Sequence, residues 1–234
     1  KQLSSFLISS HKKFKMLKAV IFDMDGVIIE SEPLHHYAYY SMFKDVNVKV
    51  SDALYESFTG KSTINVCKQV CSLFNLKQPP EYLVSLKRKH FDFVFNNDLN
   101  FDLMEGVLDV IQDYHNNGLT LILASSATMS SIDRIFNRFD LNPYFKAKLS
   151  GADLKQSKPH PEIFINAVKA SGFKNTECII IEDSTNGIEA AKGAGVFCVG
   201  FDSFQSKNQD YSKAGLVIKD FNEISFNKIK GLSL

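Results

Sequence analysis

Two aspartates, Asp23 and Asp25, stand two positions apart directly after the unbroken apolar run AVIF at residues 19–22. On an extended backbone, residues at this spacing point to the same face, about 6–7 Å apart. One carboxylate can attack phosphorus and form an aspartyl phosphate, and the other can handle the proton of the leaving group. The pair therefore favours phosphoryl transfer, although an Asp-x-Asp sequence alone is also typical of an exposed turn.

Further polar residues follow the other apolar runs. Ser125 and Ser126 follow residues 121–124, Glu182 and Asp183 follow residues 178–181, and Lys158 lies between these two groups. Ligands of open α/β sheets bind at the carboxyl ends of the strands, so we expect these side chains to converge.

Four carboxylates in one cleft repel one another unless protons or a cation neutralise them. Oxygen ligands without His or Cys favour a hard cation, most simply Mg²⁺. Together with Lys158, this cation would offset the negative charge of a phosphorylated substrate. The sequence therefore predicts magnesium-dependent chemistry at this edge.

The elements that must position these residues alternate along the chain. Short apolar runs without polar interruption are typical of parallel strands that are covered on both faces, and they occur at residues 19–22, 121–124, 178–181, 196–199 and 216–218. Helical spacing between them predicts a helix that ends before Gly118, a second over residues 132–139, and a third that Pro161 opens and Gly172 ends. This alternation predicts an α/β fold with a doubly wound parallel sheet.

Residues 32–103 interrupt this alternation, since apolar residues there recur only at helical spacing. Such a stretch is too long for a simple connection. We therefore predict a helical cap domain over 32–103, inserted into an α/β core formed by residues 16–31 and 104–234. Residues 1–15 are expected to be a tail, either disordered or added by cloning, that plays no part in the chemistry.

The composition and net charge of the chain disfavour several classes of binding partner. The 234 residues carry a formal net charge of +1, which does not favour binding to nucleic acid or to a membrane surface. No apolar run approaches the roughly 20 residues of a membrane helix. The four cysteines lack the spacing of a zinc site and are expected to be reduced thiols, as in a cytoplasmic protein. A monomer is compatible with the sequence, which does not reveal the oligomeric state.

In chain order, four segments resemble the four motifs of the haloacid dehalogenase superfamily of phosphotransferases. They are FDMDGV at 22–27, LASS at 123–126, SKPHP at 157–161 and IEDSTNG at 181–187. The resemblance covers residues 16–218. It implies that Asp23 is the nucleophile and that Asp25 is the general acid and base.

The remaining motif residues receive roles from the same resemblance. Ser125, with Ser126 beside it, and Lys158 are expected to bind the phosphoryl group. The expected magnesium site consists of Asp23, Asp25 (with a backbone carbonyl near it), Glu182 and Asp183.

Within the superfamily, the chain is most similar to the β-phosphoglucomutase branch and its related sugar-phosphate phosphatases. The mutases carry a His twelve positions after the nucleophile, which His35 matches. They also carry an Arg, three positions after a loop Gly, that binds the distal phosphate of the substrate. Thr63 occupies that position here, so Lys61 is a candidate substitute and Lys87 a match to another cap lysine. A lysine lacks the bidentate geometry of arginine.

The absence of that Arg favours a phosphatase acting on a small phosphorylated metabolite, such as a sugar phosphate, over a β-phosphoglucomutase. A dehalogenase is a further alternative, but that branch lacks an acid at the position of Asp25. The last alternative is a binding protein without activity, which the intact motifs disfavour.

Overall fold

The computed structural model describes residues 16–58, 61–98, 100–204, 206 and 208–231. Its sheet consists of six parallel strands in the order β3-β2-β1-β4-β5-β6. The strands are β1 (Ala19–Phe22), β2 (Thr120–Ser125), β3 (Phe145–Ser150), β4 (Cys178–Glu182), β5 (Phe197–Phe201) and β6 (Leu216–Ile218). The predicted doubly wound parallel sheet is confirmed.

Alternate residues of the central strands pack on opposite faces of the sheet. In β1, Val20 and Phe22 belong to one buried cluster, whereas Ala19 and Ile21 belong to the other. Helices α5 (Val107–Asn116), α6 (Met129–Arg138) and α9 (Phe226–Ile229) cover the first face, and α7 (Glu162–Ser171) and α8 (Thr185–Gly193) cover the second. Burial on both faces explains why these strands are continuous apolar runs.

The apolar runs in the sequence did not predict one strand, β3. β3 lies at the edge of the sheet and its residues are mostly half-buried. Lys146 and Lys148 alternate with its apolar residues, as is common on an edge strand. Two element limits also differ from the prediction: β5 begins at Phe197, and α7 begins at Glu162 immediately after Pro161.

Among the described residues, four helices lie between β1 and α5. They are α1 (Glu32–Asp45), α2 (Asp52–Glu56), α3 (Thr63–Leu73) and α4 (Pro80–Asn97). They share a buried cluster of their own, which includes Met42, Cys67, Val70 and Leu83. The inserted helical cap is thus confirmed, while its boundaries at 32–103, and those of the core at 16–31 and 104–234, stay a prediction.

The entry to the cap and its exit run side by side. The amide of Glu30 donates to the carbonyl of Asp102, and the amide of Met104 donates to the carbonyl of Ile28. Both connections therefore leave the core next to the end of β1, which places the cap over that end of the sheet. The predicted tail, residues 1–15, lies outside the described residues. Within the described part of the chain, no helix is long and apolar enough to cross a membrane.

Candidate active site

The loop after β1 is a tight turn over Met24–Ile29. The amide of Ile28 donates to the carbonyl of Met24, and that of Gly26 to the carbonyl of Ile29. Met24 and Val27 are buried, so the loop is anchored on the core. The side chains of Asp23 and Asp25 consequently start from fixed backbone positions at the carboxyl end of β1.

Three carboxylates meet at the carboxyl ends of β1 and β4. One oxygen each of Asp23, Glu182 and Asp183 lies within 4.8 Å of the others. Asp23 and Glu182 are buried. The predicted convergence of the two strand ends is therefore present, and the cluster can hold a cation.

Lys158 lies inside this cluster. Its Nζ donates to Asp23 Oδ1 at 2.5 Å and to Glu182 Oε1 at 2.8 Å. Burial lowers the pKa of Lys158, but the two carboxylates outweigh burial and hold it above its ordinary value. Lys158 therefore remains a cation beside the proposed nucleophile, and its contact with a phosphoryl group stays a prediction.

The cluster carries more negative charge than Lys158 balances. Burial raises the pKa of Asp23 to about 7; Lys158 opposes this rise, and Glu182 and Asp25 add to it. Burial, followed by repulsion from Glu182 and Asp23, also raises the pKa of Asp183 well above its usual range. Carboxylates that resist ionisation in this way are stabilised by a bound cation, so this donor set fits a divalent metal.

Glu182 is held by hydrogen bonds on both of its oxygens. Oε1 accepts from Lys158, and Oε2 accepts from the amide of Ser184 at 2.6 Å and its hydroxyl at 2.9 Å. In this arrangement, Asp23 and Asp183 are the better candidates for direct metal contact. The side chain of Asp25, predicted among the metal ligands, is not part of the three-carboxylate cluster.

Two residues that the motifs did not include support Asp183. The hydroxyl of Ser206 donates to Asp183 Oδ2 at 3.1 Å, and the hydroxyl of Tyr211 donates to its backbone carbonyl at 2.9 Å. Both residues follow β5 in a segment without a recognisable pattern. Only the fold brings them to the site, so sequence reasoning had no signal for them.

Gly26 brings the turn close to the Asp183 carboxylate. Its φ is +78°, and a Cβ there would lie 2.2 Å from Asp183 Oδ2. We expect Gly26→Ala to displace the Asp183 carboxylate and to reduce kcat/KM by at least about tenfold, with weaker binding of Mg²⁺. Isothermal titration with Mg²⁺ and steady-state kinetics measure the two effects.

Gly118→Ala is the matched control for this substitution. Its φ of +79° imposes the same backbone strain, but a Cβ there would meet no atom within 4 Å. We expect it to lower stability by about 1 kcal/mol and to leave Mg²⁺ affinity unchanged. Equal losses of Mg²⁺ affinity in both variants would contradict the steric explanation.

The two serines at the carboxyl end of β2 differ in their surroundings. Ser125 is buried, and its Oγ accepts from the amide of Ala127 at 3.0 Å. Ser126 is exposed. The predicted role in binding the phosphoryl group stays a prediction for both serines.

Asp25 faces the cap instead of the carboxylate cluster. Its Oδ1 lies 3.9 Å from His35 Nε2, and His35 Nδ1 lies 2.8 Å from Lys87 Nζ. The ring of His35 stacks on Phe91 at 4.8 Å. Burial raises the pKa of Asp25, but the contacts with His35 and Ser31 outweigh burial and hold it below its ordinary value. His35 and Lys87, two of the predicted cap residues, thus form a chain of contacts that ends at Asp25, the proposed acid and base.

Lys87 is a buried cation, with only 5% of its surface exposed. Burial lowers its pKa from 10.5 to about 8, against the attraction of Asp25. Between these two pH values the unfolded chain binds a proton that the folded protein lacks, so the contribution of Lys87 to stability rises with pH. At neutral pH, the buried charge costs about 3 kcal/mol.

We therefore expect Lys87→Met to be more stable than the parent protein at neutral pH, with the difference disappearing as the pH rises through this window. Urea unfolding at several pH values measures it. Lys89→Met, at an exposed position of the same helix, should show no such pH-dependent difference. A difference that is independent of pH would contradict the titration of Lys87.

Lys61 and Thr63 line a smaller cavity of about 200 Å³ together with Lys87 and His35. Lys61 Nζ donates to Gln69 Oε1 at 2.9 Å, and Thr63 contacts Tyr39. The structure therefore brings the three predicted cap residues, His35, Lys61 and Lys87, to one cavity wall. The loop glycine that precedes Thr63 in the motif, Gly60, lies outside the described residues.

This chain is similar in sequence to a known phosphatase and in fold to a solved mutase. The chain is 29% identical over 183 residues to hexitol phosphatase B of Escherichia coli K12, covering 77% of this chain and 81% of that protein. The solved β-phosphoglucomutase of Clostridium difficile has a TM-score of 0.76 and 25% identity, covering 92% of this chain and 96% of that one.

A much longer protein contains a region that is similar in sequence to this chain. The chain is 29% identical over 220 residues to the chloroplastic protein SUPPRESSOR OF QUENCHING 1 of Arabidopsis thaliana. The match covers 91% of this chain but only 20% of that protein.

The family profile described as haloacid dehalogenase-like hydrolase matches residues 20–201. The chain therefore belongs to this family, and it is an enzyme of the phosphatase and phosphotransferase type. The predicted resemblance to its β-phosphoglucomutase-like branch is confirmed.

Proposed function

We propose that this enzyme is a magnesium-dependent phosphatase that acts on a small phosphorylated metabolite, such as a sugar phosphate, through an aspartyl phosphate. The observation that carries the proposal is the contact of Lys158 with both Asp23 and Glu182, beside Asp183. This contact supports the proposal because a fixed cation and a candidate metal-binding cluster then surround one carboxylate at the end of β1.

In the first step, a carboxylate oxygen of Asp23 attacks phosphorus and the bond to the leaving oxygen breaks. Asp25 donates a proton to that oxygen. In the second step, Asp25 takes a proton from water, the water oxygen attacks phosphorus, and phosphate leaves Asp23. Lys158 stays protonated throughout and offsets the charge on the transferred group.

Asp23 and Asp183 would hold Mg²⁺, with Glu182 orienting Lys158 and the start of α8. When bound, the cation would neutralise negative charge on the phosphoryl oxygens. The chain supplies the remaining groups: the hydroxyl of Ser125 donates to a phosphoryl oxygen, and the Gly26 turn keeps space open for Asp183.

The pKa of Asp25 bears on both steps. Its contacts with His35 and Ser31 favour the carboxylate form, which suits the base that activates water. A phosphate dianion bound nearby acts in the opposite direction, because like charges favour the protonated acid. Substrate binding would therefore help Asp25 to take up the proton that the first step requires.

One observation favours β-phosphoglucomutase as the second candidate. Lys61 and Lys87 line the same small cavity, where together they could bind a distal phosphate in place of the missing Arg. Lys87 is engaged with His35, however, and Lys61 with Gln69. We therefore favour hydrolysis.

The two candidates differ in their products from β-glucose 1-phosphate. With Mg²⁺ present, we expect free phosphate to form without prior accumulation of glucose 6-phosphate. Added glucose 1,6-bisphosphate should not stimulate isomerisation. We also expect exhaustive chelation to abolish phosphate release. Coupled assays for phosphate and for glucose 6-phosphate follow both products.

Faster formation of glucose 6-phosphate than of phosphate would establish the mutase instead. In that case, Lys61→Met should reduce isomerisation strongly, because no other described candidate replaces the Arg without disturbing His35. Full phosphate release after chelation would contradict the metal requirement.

A further inference from the structure

A cavity of about 420 Å³ opens beside Asp25 and extends along the cap. Its cap wall is formed by α1 and α2. Three aromatic rings and three carboxylates line this wall, which we call the aromatic lobe: Glu32, His36, Tyr40, Asp52, Tyr55 and Glu56.

The three rings of the aromatic lobe contact one another. His36 stacks on Tyr40, with centroids 4.2 Å apart and planes at 22°. Tyr55 meets His36 edge-on at 5.1 Å and Tyr40 at 5.4 Å. They form a joined surface that requires little reorganisation when a ligand binds.

Tyrosine hydroxyls fix two of the carboxylates. Tyr55 donates to Glu32 Oε1 at 3.1 Å, and Tyr40 donates to Asp52 Oδ1 at 2.8 Å. Burial and the neighbouring Asp52 raise the pKa of Tyr40 to about 12, so its hydroxyl remains a donor. A carboxylate has several acceptor sites, so both acids retain capacity to bind a further donor.

The lobe favours positive charge over negative charge. None of the described residues that line the 420 Å³ cavity is Lys or Arg. Lys61 and Lys87 line the smaller cavity, which shares Glu32, His35 and Tyr55 with the larger one. Lys158 lies in the carboxylate cluster and does not line the larger cavity. Aromatic faces and carboxylates attract ammonium groups, and the same carboxylates repel a second phosphate or a carboxylate on the substrate.

We propose that the aromatic lobe binds an ammonium group of the substrate, so that the preferred substrates are phosphomonoesters of amino sugars or amino alcohols. This inference rests on the proposed phosphatase function and specifies its substrate class. The phosphate lies at Asp23, and the ammonium group lies beyond Asp25 against the rings of Tyr40 and Tyr55.

The test compares glucosamine 6-phosphate with glucose 6-phosphate, which differ by one amino group in place of a hydroxyl. With Mg²⁺ and at a pH below the pKa of the amine, we expect kcat/KM to be about tenfold higher for the amino sugar. The preference should decrease as potassium chloride is added, because salt screens exposed charges. 6-Phosphogluconate, which carries an extra carboxylate, should be the poorest of the three.

Substitutions in the lobe connect this preference to the named residues. Asp52→Asn keeps an acceptor for Tyr40 but removes the charge, and it should reduce the ratio of the two kcat/KM values about threefold or more. Asp45→Asn is the matched control, because Asp45 lies in the same cap but pairs with His90 and does not line the cavity. It should leave the ratio unchanged.

A ratio of one or below, or a ratio that Asp52→Asn does not change, would overturn this inference. Hydrolysis of p-nitrophenyl phosphate separates it from the proposed function. If that ester is hydrolysed without any preference for the amine, only the substrate class is wrong. If none of the esters is hydrolysed, the phosphatase proposal is wrong and the inference falls with it.

Discussion

Asp23→Asn is expected to abolish turnover, with a loss of at least about 10⁴-fold in kcat, the scale seen when an enzyme loses its nucleophile. The amide nitrogen and oxygen cannot attack phosphorus in place of the carboxylate. The side chain lies against Lys158, so the variant also loses a charge that this lysine now balances. Steady-state phosphate release and acid-quenched labelling of the protein by a radioactive substrate measure the effect.

The fold of this variant should remain intact. Burial raises the pKa of Asp23 to about 7, so the folded protein already disfavours its charged form when no metal is bound. We expect the unfolding midpoint without metal to be unchanged or higher. Asp109→Asn, at an exposed position of α5, is the control and should keep full activity. Labelling of the Asp23→Asn protein at the level of the parent would exclude Asp23 as the nucleophile.

The central sheet could be predicted because its strands are buried on both faces. Val20 and Ile21 pack on opposite sides of the sheet, and both must be apolar. The run that contains them is therefore visible in the sequence. The edge strand β3 is half-buried and includes Lys146 and Lys148, so its pattern resembles that of a loop.

The position of the carboxylate cluster could also be predicted. Asp23 and Glu182 stand at the ends of neighbouring parallel strands, whose register pairs Phe22 with Ile181. Parallel pairing alone brings these two ends together. The orientation of the Asp25 side chain toward the cap could not be derived in this way, because it depends on a contact with His35.

Contacts between distant segments were not visible in the sequence. Ser206 reaches Asp183 because the segment after β5 folds back over β4. The aromatic lobe exists because α2 packs beside α1, which brings Tyr55 to Tyr40 and His36. Neither α1 nor α2 carries a pattern that specifies this pairing, so the shape of the cap wall required the structure.

Asp25→Ala is expected to separate substrates by their leaving groups. An alkoxide leaving group needs a proton in the first step, whereas a nitrophenolate leaves readily without one. We expect the variant to lose about 10²–10⁴-fold in the first step with a sugar phosphate, the range that general acid catalysis supplies. With p-nitrophenyl phosphate, the same step should change much less.

The second step requires a base for both substrates, so steady-state rates alone would obscure this difference. Single-turnover experiments with excess enzyme isolate the release of the leaving group, and the aspartyl phosphate should accumulate on the variant when p-nitrophenyl phosphate is used. Asp109→Ala controls for the loss of a carboxylate elsewhere on the surface. Equal losses of leaving-group release with both substrates would contradict the acid role of Asp25 and would leave it only the role of base toward water.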